Sequence, residues 1–272
     1  MPQQPTDQKT SQPRLTMTPV QTIIAKELRS FFVSPVVYVI GAIFLAVVGL
    51  LAYQAVANAS NQALRLMQLQ NTYAQLNLNE MIFRPLFQSM NLTLMIILPL
   101  LTMRLFAEER KLRTFELLLT SPIGVNEIVS GKFLSVVMVY AGLLSLTSLI
   151  PITLSAYATF DWQPIYLGYL ALLLQGALML AIGLFASALT ENQIIAAFLS
   201  FGVILGLWVL GAISTAFGDT TAGSILAYLS FTEHFERLIR GLLNVKDLLY
   251  YISGIAFMWF AAHQAIDAYR WK

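Results

Sequence analysis

The chain runs uncharged and almost wholly apolar over residues 35–57; four more stretches of the same kind follow at 86–103, 133–157, 165–189 and 194–217, and a sixth apolar one at 248–269 carries His263 and Asp267 near its end. At about 1.5 Å per residue, roughly 20 apolar residues cross the hydrocarbon core of a bilayer, about 30 Å thick. The first five stretches contain no Asp, Glu, Lys, Arg or His, as expected where a central charge costs about 2.5–3.5 kcal/mol. No water reaches that depth, so each segment must satisfy its own backbone N–H and C=O groups, and separate spans do this only as helices. The expected fold is an all-α integral membrane protein with six transmembrane helices. Composition agrees, with 57% of the 272 residues hydrophobic and 11% charged, against about 25% charged in a soluble domain.

Residues 1–17 are rich in Pro, Gln and Thr and read as a disordered cytoplasmic tail, because they carry too little apolar surface to offset their ordering entropy. The first apolar run is too long for a signal-peptide core. With both termini in the cytoplasm, 11 Lys and Arg lie inside and five (Arg65, Arg84, Arg237, Arg240, Lys246) lie outside. That bias predicts a multi-pass protein of the plasma (inner) membrane with both ends cytoplasmic. The chain has no cysteine and a net charge of +2, which leaves no thiolate chemistry and gives no reason to expect a nucleic-acid partner.

Four segments lie outside the spans. Thr18, Pro19 and Gln21 have the spacing of a capping box with proline in the first turn, so a helix is expected over 18–32. Its apolar side chains (Val20, Ile23, Ile24, Leu28, Phe31, Phe32) share one half, with Lys26 and Arg29 opposite, the pattern of a helix at the membrane interface. Glu27 falls in the apolar arc, which calls either for a cationic partner or for a side chain reaching sideways to water. Residues 58–85 are external, with Leu66, Leu69, Tyr73 and Leu76 at helical spacing. In the fourth segment Phe231, Phe235, Leu238, Ile239 and Leu242 form a stripe that Thr232 can cap and Gly241 can end, suiting a half-inserted external helix or hairpin that acts as a lid.

Enzymatic readings find little support. Gly124 to Lys132 is the nearest string to a nucleotide-binding loop, but it is two residues too long and Phe133 stands where a hydroxyl residue should hold magnesium. Lys132 reads instead as a membrane-surface lysine. His263 and Asp267 could pair or ligate a cation, yet the sequence has only two histidines with which to build a site. No intramembrane carboxylate offers an ion path, although Asn91, Gln175 and unwound backbone near Pro99 or Pro151 could still coordinate sodium. Gly202 and Gly206 form a small-residue pair that allows close helix approach. No catalytic, cofactor-binding or metal site is expected.

The densest charge lies in 104–132, RLFAEERKLRTFELLLTSPIGVNEIVSGK. Residues 104–113 read as a continuation of the second span, followed by a short apolar-faced helix from Thr114 that stops before Pro122. Leu117, Leu118 and Leu119 then sit outside the bilayer and need a protein partner, or else the chain's own N-terminal helix.

This string resembles the cytoplasmic loop of ABC-2 type transporter permeases, matching at Glu108, Glu109, Arg113, Thr114, Glu116, Leu117, Leu118, Ser121, Pro122, Gly131 and Lys132. AKELRSFFVSPVVYV resembles that family's elbow helix, and residues 234–251 resemble its gliding-motility (GldF-like) branch. The resemblance implies an ATPase-coupling helix around Glu108–Pro122, braced by elbow residues Lys26, Glu27 and Arg29. It implies a cytoplasmic ABC ATPase partner that carries ATP and Mg, and a second permease subunit, either identical or a paralogue. An accessory membrane protein completes the expected partners. A non-transporting membrane anchor of a motility or secretion complex and an ion-coupled secondary transporter stay open as alternatives.

Overall fold

A computed structural model describes residues 18–68, 77–116, 123–218 and 220–270. Among them the chain is helical without a strand: α1 (Pro19–Val33), α2 (Pro35–Gln68), a π-helical turn (Asn79–Phe83) leading into α3 (Arg84–Thr102), α4 (Ala107–Lys111), α5 (Val125–Thr147) and α6 (Leu149–Ser155). Then follow α7 (Trp162–Leu189), α8 (Gln193–Phe217), α9 (Thr221–Leu229), α10 (Phe231–Ile239) and α11 (Val245–Arg270). Six helical segments are long and apolar enough to cross a membrane.

Local chemistry explains many of the boundaries. Thr18 Oγ1 accepts from Gln21 N at 3.4 Å and Gln21 Oε1 accepts from Thr18 N at 3.1 Å, so the capping box forms. Asn192 Oδ1 accepts from Ile194 N at 2.9 Å and starts α8. Pro151 cannot donate to the carbonyl four residues back, and the helix is interrupted there, at Ser148 between α5 and α6.

Part of the short surface helix expected in residues 58–85 is present as an extension of the first span: α2 continues through the polar run after Ala57 to Gln68, and Ala55 and Ala59 pack against Ile82 with Leu78, Met81 and Leu154 around them. Leu66 therefore belongs to α2, while Leu69, Tyr73 and Leu76 lie outside the described residues.

α7 is the central post. In its most apolar stretch 78% of residues are buried, against 22% for α8 and 17% for α11, and α3, α5, α8, α10 and α11 all pack on it. Three polar side chains meet inside this bundle: Gln175 Nε2 donates to Asn91 Oδ1 at 2.7 Å, and Tyr251 Oη lies 3.3 Å from Gln175 Oε1. All three are buried, and each of these side chains is hydrogen-bonded to another of the three where lipid would offer none.

Candidate functional site

At one end of the bundle α1 lies against α5. Its packed face is Ile23, Glu27 and Phe31, spaced one turn apart. Ile23 sits directly over Gly131, where an added Cβ would come within 2.6 Å of Ile23 Cγ2, so only glycine admits this approach. Next to it, Lys132 Nζ donates to Glu27 Oε1 at 2.9 Å and lies 3.0 Å from Glu109 Oε1. Lys26 on α1 reaches the same Glu109 oxygen at 3.3 Å. Two ammonium groups and two carboxylates thus tie α1, α4 and α5 into one neutral cluster.

Lys132 is not the membrane-surface lysine that its position at the start of a span suggested: its side chain is 2% exposed, with Nζ 5.2 Å from the Phe106 ring. Of the two readings of Glu27, the structure has the paired one. Arg104 closes the arrangement, donating to Ser34 Oγ at 2.8 Å with its guanidinium 4.9 Å from the Phe31 ring. The junction opens into a cleft of about 310 Å³ walled by Lys26, Arg104, Glu108, Glu109 and Lys132.

The expected continuation of the second span runs to Lys111, but through a turn: residues 103–106 are not α-helical, and α-helix resumes at Ala107. The backbone N–H groups freed by the break are taken up by α7: Ser187 Oγ accepts from Phe106 N at 3.0 Å and Ala107 N at 3.1 Å, and donates to Met103 O at 3.0 Å. One turn earlier, Gly183 lets α7 touch α3, since a Cβ there would fall 2.0 Å from Thr102 Oγ1. Arg110 then donates to Ala188 O at 2.6 Å and places its guanidinium 4.3 Å from the Tyr269 ring.

The other predicted coupling residues point outward. Glu108, Arg113, Thr114 and Glu116 are exposed. Arg113 has a φ of 57°, a left-handed conformation uncommon away from glycine, and Thr114 N donates back to Glu109 O at 3.0 Å, closing the turn. Arg29 is exposed. Leu117, Leu118, Leu119, Ser121 and Pro122 lie outside the described residues.

At the opposite end, α9 and α10 form a helical hairpin against α7, α8 and α11. Phe231, Phe235 and Leu238 are buried, whereas Leu242 is 60% exposed. The cap of α10 is Ser230, which accepts from Thr232 N at 3.2 Å, rather than Thr232 itself. Gly241, with φ 85°, follows the end of α10.

This hairpin is pinned by an acid that the sequence reading did not single out. Asp247 in the first turn of α11 is fully buried. Its Oδ1 lies 2.7 Å from His234 Nδ1, and Arg237 Nε donates to Oδ1 at 3.1 Å and Oδ2 at 3.3 Å. The hydrogen-bonded carboxylate raises the pKa of the Arg237 guanidinium above its ordinary value. His234 also stacks on Tyr250 with ring centroids 4.0 Å apart. A second link joins Arg84 to Glu236 at 3.2 Å. His263 stacks on Trp259.

Ser187 is the site member the sequence reading missed, signalled only by a hydroxyl inside an apolar run; Lys132, His234 and Asp247 lie in the strings that carry the family resemblance, but their pairing was not read from them.

A multi-pass helical membrane protein, with charged side chains gathered at the two ends of its bundle and an apolar middle, fits the membrane subunit of a transporter. The chain belongs to the ABC-2 family transporter proteins, which it matches over residues 21–264. Members of that family are membrane subunits of ABC transporters and work with an ABC ATPase subunit. No curated protein matches the chain in sequence.

Proposed function

We propose that this chain is the permease subunit of an ABC exporter, moved by ATP hydrolysis on a separate cytoplasmic subunit and paired with a second permease subunit in the plasma membrane. The observation that carries the reading is the cluster Lys26–Glu109–Lys132–Glu27, which fuses α1, α4 and α5 into one unit beside exposed Glu108, Arg113, Thr114 and Glu116. In this reading α1 is the elbow helix, residues 108–122 dock on the ATPase, and the α9–α10 hairpin is an external lid. A docking segment must be rigid at its base and exposed at its tip, and the charged cluster supplies that base.

Residues 234–251 favour the gliding-motility branch. In this chain the branch's string contains His234, Arg237 and Asp247, which hold the hairpin to the last span.

The test is co-purification with the cognate ATPase from a neighbouring gene, followed by hydrolysis assays in lipid nanodiscs. Vanadate-sensitive hydrolysis by the complex, with the Glu116→Ala, Leu118→Ala double variant losing at least about tenfold in association while still inserting, is the expected result. Association without turnover would instead mark a membrane anchor, and gradient-driven transport without ATPase a secondary transporter. Unchanged association of the double variant would refute the docking assignment.

A further inference from the structure

The next question rests on the permease reading: by which route does a push on the ATPase-facing segment enter the bundle? Chain continuity points to α3, the span that leads into α4. The structure weakens that route twice: Pro99 removes a backbone donor within α3, and in the turn at residues 103–106 the Phe106 and Ala107 N–H groups bond Ser187 Oγ instead of the carbonyls four residues back.

What grips the start of α4 is α7. Ser187 makes all three hydrogen bonds that its hydroxyl can make, each to backbone of the broken turn. Arg110 adds the Ala188 carbonyl and Glu191, the latter at 3.8 Å. Gly183 removes any side-chain spacer between α7 and Thr102. We infer that α7, not α3, carries movement of the ATPase-facing segment into the spans, with Ser187 as the positioning residue that ties the two together.

The far end of this route is a hydrogen bond with two destinations. Gln175 sits 12 residues before Ser187, about 18 Å along a rigid helix. Tyr251 Oη lies 3.3 Å from both Gln175 Oε1 and the Phe231 carbonyl at the start of α10. A phenol has one proton to donate, so the two acceptors compete for it. A small axial shift of α7 changes which acceptor holds Tyr251, and with it the anchoring of the hairpin. Two acceptors equidistant from one donor give this inferred route a switchable end, the kind of element that long-range coupling requires.

The chain contains no cysteine, so spin labels can be placed without background. Leu64→Cys and Leu242→Cys, both exposed at the hairpin end of the molecule, report the position of the hairpin relative to α2 by pulsed dipolar spectroscopy. The measurement uses the permease–ATPase complex in nanodiscs, nucleotide-free and with ATP and vanadate. We expect Ser187→Ala and Gln175→Leu each to shrink the nucleotide-dependent distance change by about twofold or more. Ser187→Thr, which keeps the hydroxyl, and Pro99→Ala, which restores a backbone donor within α3, should preserve it.

Ser187→Ala gives up three buried hydrogen bonds and should lower the melting temperature while leaving co-purification intact; Tyr140→Phe, which loses a buried bond off this route, should also lower it yet keep the full distance change, which separates positioning from stability. A full distance change in both Ser187→Ala and Gln175→Leu overturns the route, as does its loss in Pro99→Ala alone. Failure of the parent chain to bind ATPase sinks the permease reading instead. Binding with hydrolysis but no distance change in the parent overturns only the proposed route.

Discussion

Replacing Lys132 by methionine tests whether the α1–α4–α5 junction is held by charge. The ammonium is 2% exposed and faces two carboxylate oxygens at 2.9 and 3.0 Å. Methionine fills nearly the same volume, so packing changes little and the electrostatic effect dominates. Glu109 keeps Lys26, at 3.3 Å, as a partner. Glu27, with a side chain 11% exposed, has no other cation within salt-bridge distance among the described residues.

Removing one member of a buried pair costs about 3–5 kcal/mol, and the surviving Lys26–Glu109 pair places Lys132→Met at the lower end, about 3 kcal/mol. Glu27→Gln leaves Lys132 with Glu109 and should cost only about 1 kcal/mol. With both changes together no orphaned carboxylate remains at position 27, so the double variant should recover about 2 kcal/mol relative to the sum of the singles. Equilibrium unfolding in mixed micelles supplies the energies, and tryptic cleavage after Lys26 or Arg29 reports whether α1 has lifted from α5. A loss below about 0.5 kcal/mol for Lys132→Met, the range of ordinary surface changes, would refute the reasoning, as would additive singles.

Gly131→Ala should cost about 1–3 kcal/mol by forcing Ile23 away, and should speed the same tryptic cleavage with every charge intact. Arg237→Met leaves buried Asp247 with His234 alone, and because the Arg237 side chain is 38% exposed the cost should be about 2 kcal/mol. Amide exchange in α10 should then quicken by up to about 30-fold, while exchange in α7 is unchanged. Tyr140→Phe removes a buried hydrogen bond to Leu172 O at 2.6 Å and should lower stability by about 1 kcal/mol without moving α1 or α10, as read by unfolding in mixed micelles.

The helical membrane fold was legible because it depends on local quantities. An uncharged run fixes a span without help from its neighbours, and Thr18 finds Gln21 only three residues away. Reading failed where the deciding atom lies far along the chain. Nothing in RLFAEERKLR announces a turn after Met103; the hydroxyl that satisfies its freed N–H groups is Ser187, on a different span. Lys132 looked like a surface lysine because its two acids are at 27 and 109.

The polar stretch after Ala57 carries helical spacing and suggested a separate surface helix, whereas its first part continues α2 to Gln68. Ser230 and Thr232 offer the same capping chemistry two residues apart, and only the phase of α10 against the bundle selects the first. The candidate site was therefore legible in its acidic and basic members but not in how they pair.

Asp247 also bears on biogenesis. His234 and Arg237 lie only 13 and 10 residues ahead of this aspartate, so its counter-charges enter the membrane with the same stretch of chain and need not be found elsewhere in the bundle. A chain lacking residues 231–239 would present its last helix to the insertion machinery with a naked acid at the boundary and nothing to receive it. The hairpin then has a task during synthesis, as a landing place for the segment that completes the bundle.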